Sequence, residues 1–206
     1  MTPTVFVVDD DPAVRDAMGL LLESAGRNVA LFESAEAFLA GYEQERTGCL
    51  ILDIRMPQMD GLELQAELGK RGIELPIIFL TGHGDVPTSV RAMKGGATDF
   101  LEKPFREQVL LERIDEAIET DLQRRREKLT RDEIHCRFEL LTPREHEVMS
   151  LVIGGKSNKE VAQALRVSHR TIEIHRARVM EKVGAKSVAE LLSLALACGE
   201  WTPPTA

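Results

Sequence analysis

Three aspartates stand in a row, Asp9, Asp10 and Asp11, directly after the apolar run Val5–Val8. A fourth carboxylate, Asp53, closes a second apolar run, CLILD, and Thr81 closes a third, PIIFLT. Lys103-Pro104 follows a further run, DFLE. Three carboxylates within a few ångströms cannot all stay ionised unless a cation compensates them. Oxygen-only ligands that leave room for water suit Mg²⁺. A metal that also touched an incoming phosphoryl group would neutralise its oxygens, with the Lys103 ammonium as a second positive charge. Asp53 would then be the nucleophile, and the product an acyl phosphate. One aspartate at a strand end is more often a cap or turn residue. The joint placement of Asp9, Asp10, Asp53, Thr81 and Lys103 is what points to chemistry, and Asp11, directly before Pro12, reads as the helix cap.

The elements needed to bring these groups together are legible in the first half of the chain. VFVV (5–8), NVALF (28–32), CLILD (49–53), PIIFLT (76–81) and DFLE (99–102) read as strands. Between them, 12–25, 35–45, 62–70 and 86–94 carry apolar residues at helical spacing. Turn residues punctuate the pattern at Gly26, Gly48, Asp60-Gly61, Gly72 and Gly95-Gly96. The alternation predicts right-handed βαβ units and an α/β fold, a five-stranded, doubly wound parallel sheet of flavodoxin-like order 2-1-3-4-5. In that order strands one and three flank the point where strand order reverses, which is where ligands bind beyond the strand ends.

Charge divides the chain. Met1–Thr120 carries 11 Lys and Arg against 22 Asp and Glu, whereas Asp121–Ala206 carries 15 against 12. An acidic first half and a mildly basic second half suggest two domains with different partners. The overall charge of −8 argues against a nucleic-acid binder over its whole surface. With 43% hydrophobic residues and no long apolar run, neither a membrane span nor a secretory signal is expected. Cys49, Cys136 and Cys198 are odd in number and lack metal-ligand spacing, which favours a reduced, cytoplasmic protein.

A helical pattern from Arg106 runs through Leu111, Ile114, Ile118 and Leu122, then becomes mostly charged. Arg124-Arg125-Arg126 reads there as a solvated helix face or linker. The remainder predicts four short helices, because capping residues recur at Thr142, Ser157, Ser168 and Ser187. Domains are expected at 1–121 and 140–206, joined by a linker at 122–139 that continues the last helix of the first domain.

VVDDD, LDIRMPQMDG, FLTGHGD and DFLEKPF, in that order, resemble a response-regulator receiver domain. The resemblance implies that a sensor histidine kinase phosphorylates Asp53. It places Asp9, Asp10, Asp53 and the Arg55 backbone carbonyl around Mg²⁺, Thr81 and Lys103 on the phosphoryl group, and a cis bond before Pro104. Phe100 falls at the family's switch aromatic. Arg55 and His83, two residues after Asp53 and Thr81, are expected to tune the lifetime of the aspartyl phosphate; the alternative is that both are solvated loop residues.

LTPREHEVMSLVIGGKSNKEVAQALRVSHRTIEIHRARVMEKVGAKSVAELLSLA resembles a LuxR/FixJ-type helix-turn-helix domain, an all-α unit of four helices. Its scaffold helix would be 158–165 and its recognition helix 169–183. Within the latter, Ile172, Arg176, Val179 and Val183 fall within about 60° of one another and face the core, with Arg176 at the margin. Glu173, Ile174, Ala177 and Glu181 fall on the opposite face, with Arg170 among them and Arg178 flanking. Arg170, Arg178 and His169 are candidates for phosphate or a guanine edge. Glu173 either accepts from cytosine N4 or orients a neighbouring arginine. Lys159 and Lys182 are either phosphate contacts or solvated surface charges.

Together these readings describe a DNA-binding transcriptional regulator of a two-component system rather than an enzyme. Its expected partners are a histidine kinase, double-stranded promoter DNA and, once phosphorylated, a second copy of itself; RNA polymerase is a further candidate, a membrane is not. The fourth helix, fifth strand and fifth helix would form the dimer surface, with Val90, Arg91 and Met93 as candidate members; the alternative is that the apolar pair, Val90 and Met93, serves the helix core. Two rivals remain: an Mg²⁺-dependent aspartyl-phosphate phosphatase or phosphotransferase, and a DNA-binding regulator indifferent to phosphorylation.

Overall fold

The computed structural model describes residues 2–43, 46–82 and 86–202. These form two compact units, Met1–Arg125 and Arg126–Ala206.

The first unit alternates β1 (Thr4–Val8), α1 (Pro12–Ser24), β2 (Asn28–Phe32), α2 (Ala35–Gly41), β3 (Gly48–Asp53), α3 (Gly61–Lys70), β4 (Ile77–Thr81), α4 (Val86–Lys94) and β5 (Asp99–Glu102). Helix α5 (Glu107–Glu139) then runs on as one element past Arg125. The sheet is wholly parallel, in the order β2-β1-β3-β4-β5.

Successive side chains leave a strand on opposite faces, and here both faces are covered. Phe6, Val8, Leu50, Leu52 and Phe79 pack with Phe38 of α2, Leu64 and Leu68 of α3 and Ala92 of α4. Val5, Val7, Ile51, Ile78 and Leu80 pack with Met18 and Leu22 of α1 and Leu110, Ile114 and Ala117 of α5. This is why β1, β3 and β4 are buried along their whole length.

The expected elements are present, with two local differences. Helix α2 stops at Gly41 instead of continuing to residue 45, because Tyr42 turns extended. Its ring stacks on Phe38 at 5.2 Å and meets Phe6 edge-on at 5.3 Å, burial that a further helical turn would forfeit. The arginine run is not a purely solvated face. Arg124 donates to the Glu74 carbonyl at 2.7 Å, and Arg125 holds the buried Asp121 carboxylate at 2.9 Å while also donating to the Arg46 carbonyl.

The second unit is helical: α6 (Pro143–Ile153), α7 (Asn158–Leu165), α8 (His169–Val183) and α9 (Val188–Ala197). Thr142, Ser157, Ser168 and Ser187 each accept an amide proton from the first turn of the helix that follows. Gly184 ends α8 in the left-handed region at φ 78°, a conformation in which a Cβ is strained. Met149, Ile153, Val179, Val183 and Leu191 pack around Phe138, and Val148, Val152, Val161 and Ile172 form a second cluster.

Candidate functional site

Strand register assembles the site. Val8 of β1 is level with Leu52 of β3, so the next residues, Asp9 and Asp53, are neighbours. Asp53 is level with Leu80 of β4, and Thr81 with Glu102 of β5, which brings Thr81 and Lys103 to the same edge. The Lys103 amide donates to the Thr81 carbonyl at 2.7 Å, and the Lys103–Pro104 bond is cis. This edge is the carboxyl end of the sheet, at the β1/β3 reversal point.

The Lys103 ammonium lies 2.9 Å from Asp9 Oδ2 and 3.2 Å from Asp53 Oδ1, bridging the two carboxylates. Asp53 Oδ2 accepts the Arg55 amide at 2.7 Å, and Asp9 Oδ1 accepts the Asp11 amide at 3.0 Å. Asp9, Asp53 and Thr81 are buried, Asp10 and Arg55 are exposed, and Phe100 is partly buried against the core beneath α3 and α4. Asp11 caps α1 through the Ala13 amide at 2.9 Å. His83 lies outside the described residues.

One cation shared by two carboxylates makes the electrostatics uneven. Burial pushes the Asp53 carboxyl above its ordinary value; Lys103 and the Arg55 amide oppose this, and the Asp9 charge adds to it. For Lys103, burial acts downward, but two anionic partners outweigh it and hold the ammonium above its ordinary range. The ammonium gains twice, whereas each carboxylate receives half a cation and a like-charged neighbour. Net negative charge therefore remains at the site.

Oxygen-only donors with surplus negative charge fit a hard divalent ion in chemical type. Among the described residues, however, no three His, Cys, Asp or Glu side chains are gathered closely enough to hold a metal by themselves. A cation here needs backbone carbonyl or water oxygens beside the carboxylates.

Two groups support the site in ways the sequence did not reveal. Arg15 donates to the Asp9 carbonyl at 2.7 Å, one turn into α1. Gly61 opens α3 so close to β3 that a Cβ there would overlap the Asp53 carbonyl oxygen. The Asp-Gly pair reads as a turn, and only the fold shows what it lies against.

In the second unit, Arg170, Glu173, Ile174, Ala177 and Arg178 are all exposed on α8, and His169 at its start lies 3.4 Å from Glu173, Nδ1 to Oε1. Ile172 and Val179 are fully buried. Arg176 donates to Asn158 Oδ1 of α7 at 2.9 Å. Lys182, read either as a phosphate contact or as a solvated surface charge, directs its ammonium to Glu145 Oε2 at 2.7 Å and the Leu140 carbonyl at 3.0 Å. Lys159 is exposed at the start of α7. The capping role of Glu145 was legible in Thr-Pro-Arg-Glu, but its ion pair was not.

Comparison with known proteins is consistent across both units. The response regulator receiver domain matches residues 5–115, and the bacterial regulatory proteins of the luxR family match residues 139–195. Nodulation protein W of Bradyrhizobium diazoefficiens is 46% identical over 195 residues, covering 95% of this chain and 86% of its own. Transcriptional regulatory protein FixJ of Rhizobium meliloti is 45% identical over 196 residues, covering 95% and 96%. Among solved structures, the response regulator StyR superposes with a TM-score of 0.85 at 44% identity, over 95% of this chain and 99% of its own. Full-length FixJ from B. japonicum gives 0.58 at 43% identity, over 98% and 100%.

Proposed function

The chain belongs to the FixJ-like two-component response regulators, with a receiver domain and a luxR-family DNA-binding domain, and on that premise we propose that Asp53 is its phosphoryl acceptor. The observation that carries this reading is the convergence of Asp9, Asp53 and Lys103 at the carboxyl end of the sheet. An Asp53 oxygen attacks the phosphorus of a kinase phosphohistidine. The P–N bond breaks, the imidazole leaves with its electron pair and gains a proton, and an acyl phosphate forms. Asp9, Asp10, Asp53 and the Arg55 carbonyl would hold Mg²⁺, whose positive charge would offset that of the phosphoryl oxygens.

Lys103 supplies the protein's own positive charge there, and the buried Thr81 supplies a hydroxyl. Phosphorylation replaces about one negative charge with about two and adds acceptor oxygens. Thr81 and Lys103 turn toward these oxygens, and the partly buried Phe100 repacks inward. Arg55, exposed beside Asp53, sets how readily water reaches the acyl phosphate, and His83 shares that role.

Moving the receiver from mostly inactive to mostly active requires about 5.5 kcal/mol of preference for the active state. New dimer contacts contribute part of it. Val86, Val90 and Met93, exposed apolar residues of α4, support a dimer surface there. A dimer presents two copies of α8 to half-sites roughly 34 Å apart on promoter DNA. His169, Arg170 and Arg178 contact phosphate or base edges, and Lys159 contacts phosphate. No helix among the described residues is long and apolar enough to cross a membrane, and the expected setting is the cytoplasm.

The test is treatment with acetyl phosphate and Mg²⁺, followed by intact mass, size-exclusion and DNA-binding measurements. The native chain gains one phosphoryl group, dimerises and binds DNA more tightly, whereas Asp53→Asn does none of these. An Asp53→Asn protein whose DNA affinity still rises with the phosphodonor would overturn the reading.

A further inference from the structure

Helix α8 carries four permanently cationic side chains, Arg170, Arg176, Arg178 and Lys182. Two of them are engaged inside the domain, Arg176 with Asn158 and Lys182 with Glu145. Arg170 and Arg178 are exposed and make no ion pair or hydrogen bond among the described residues. Between these two cations the exposed strip consists of a carboxylate and two apolar groups, Glu173, Ile174 and Ala177, with Ile174 exposed by 47%. A carboxylate in the middle of a surface that approaches polyphosphate is repelled by it, so general attraction to DNA gives no account of Glu173.

The major-groove code does give one. An ionised carboxylate can only accept hydrogen bonds. Guanine presents two acceptors there, thymine an acceptor and a methyl group, adenine a donor beside an acceptor, and cytosine a donor alone. Cytosine is therefore the base whose own edge offers a carboxylate a donor without a competing lone pair. The two apolar neighbours are suited to thymine methyl groups, and Arg170, one turn before Glu173, to guanine O6 and N7.

His169 Nδ1 stands 3.4 Å from Glu173 Oε1 at the start of the same exposed face, while Glu173 Oε2 makes no hydrogen bond among the described residues. No arginine of α8 is paired with Glu173, so the carboxylate and both exposed arginines face outward together.

We propose that Glu173 is the specificity-determining residue of α8 and reads one cytosine per half-site through its N4 amine, with Ile174 and Ala177 against thymine methyl groups on adjacent pairs. This rests on the DNA-binding reading above. It assigns that surface a preference for half-sites in which a C·G pair neighbours thymines.

The test is selection of duplexes from a random pool by the full-length, phosphodonor-treated protein and by Glu173→Ala and Glu173→Gln variants. All substitutions fall on an exposed side chain, and Trp201 fluorescence checks that the unit is folded. The native protein enriches a cytosine at one position of each half-site, and replacing it weakens binding about tenfold or more. Glu173→Ala keeps the flanking preferences and loses that one. Glu173→Gln moves it toward adenine, because an amide can both accept from N6 and donate to N7. If Glu173→Ala selects the same base at every position with the same penalty, the role of Glu173 is overturned while DNA binding stands. If the native protein enriches no sequence at all, the DNA-binding reading fails and this inference with it.

Discussion

Lys103 and Asp53 are 50 residues apart in the chain and 3.2 Å apart in space, and the same ammonium holds Asp9 at 2.9 Å. Removing the cation leaves two buried carboxylates facing each other. Lys103→Met is expected to destabilise the receiver by about 2 kcal/mol, somewhat less than the loss of a fully buried partner because Lys103 is partly exposed. Adding Asp53→Asn should recover much of that loss. The measurement is a double-mutant cycle from urea unfolding followed by circular dichroism; strictly additive effects would show that the ammonium does not couple to Asp53.

Burial raises the Asp53 carboxyl, so keeping it ionised costs stability. The sign follows: below the ordinary aspartate value, about 3.9, the cost is absent, and it grows as pH rises through the folded value. Asp53→Asn should therefore raise the unfolding midpoint at pH 7 and lose that advantage in acid. A variant less stable than the native chain at pH 7 contradicts this account.

Glu145 is held down to about 2, first by its hydrogen bond from Lys182 and then by the Thr142 amide. A depressed carboxylate contributes stability above the ordinary glutamate value, about 4.3, and loses it as pH falls toward the folded value. The second unit should thus weaken between about pH 5 and pH 2. Glu145→Gln should lower its stability by about 2 kcal/mol at neutral pH and flatten its acid dependence. Trp201, the chain's one tryptophan, packs against that unit's core and reports it by fluorescence. An unchanged acid transition would remove the pair from the account.

Gly61→Ala should disturb the proposed acceptor site without replacing any of its carboxylates, hydroxyl or ammonium. The added carbon would overlap the Asp53 carbonyl oxygen and come within 3.1 Å of Ile54 Cα and the Phe79 ring. Backbone cannot yield as a flexible side chain does, so about 1–3 kcal/mol of stability should be lost. Phosphate uptake should slow in proportion to the displacement of Asp53. Native stability and uptake in Gly61→Ala would show that the approach is looser than it looks.

Much of the candidate site was readable because strand–helix alternation predicts the sheet, and the sheet predicts which strand ends meet. Asp9, Asp53, Thr81 and Lys103 are each the residue at or just past a strand end, so one topology places all four. Asp10 was read with them, yet its exposure reflects a detail below that level, the direction taken by the chain as it leaves β1. The early end of α2 escaped for a related reason. Helical spacing continues past Gly41, and only the stacking of Tyr42 on Phe38 and Phe6 stops it.

Local signals by themselves determined the order of elements, the helix caps and the outward face of α8. Each depends on neighbours a few residues away, where periodicity and turn chemistry act directly. Tertiary structure decided how charges are spent. Lys182 looks in sequence like a lysine available to phosphate, but folding brings it to Glu145, 37 residues distant, at 2.7 Å. Arg176 goes to Asn158, Arg125 to Asp121 and the Arg46 carbonyl, and Lys103 to two carboxylates at once. Coulomb attraction and the cost of leaving a buried ion unpaired act through space, and no spacing along the chain encodes which partners the fold will bring within reach.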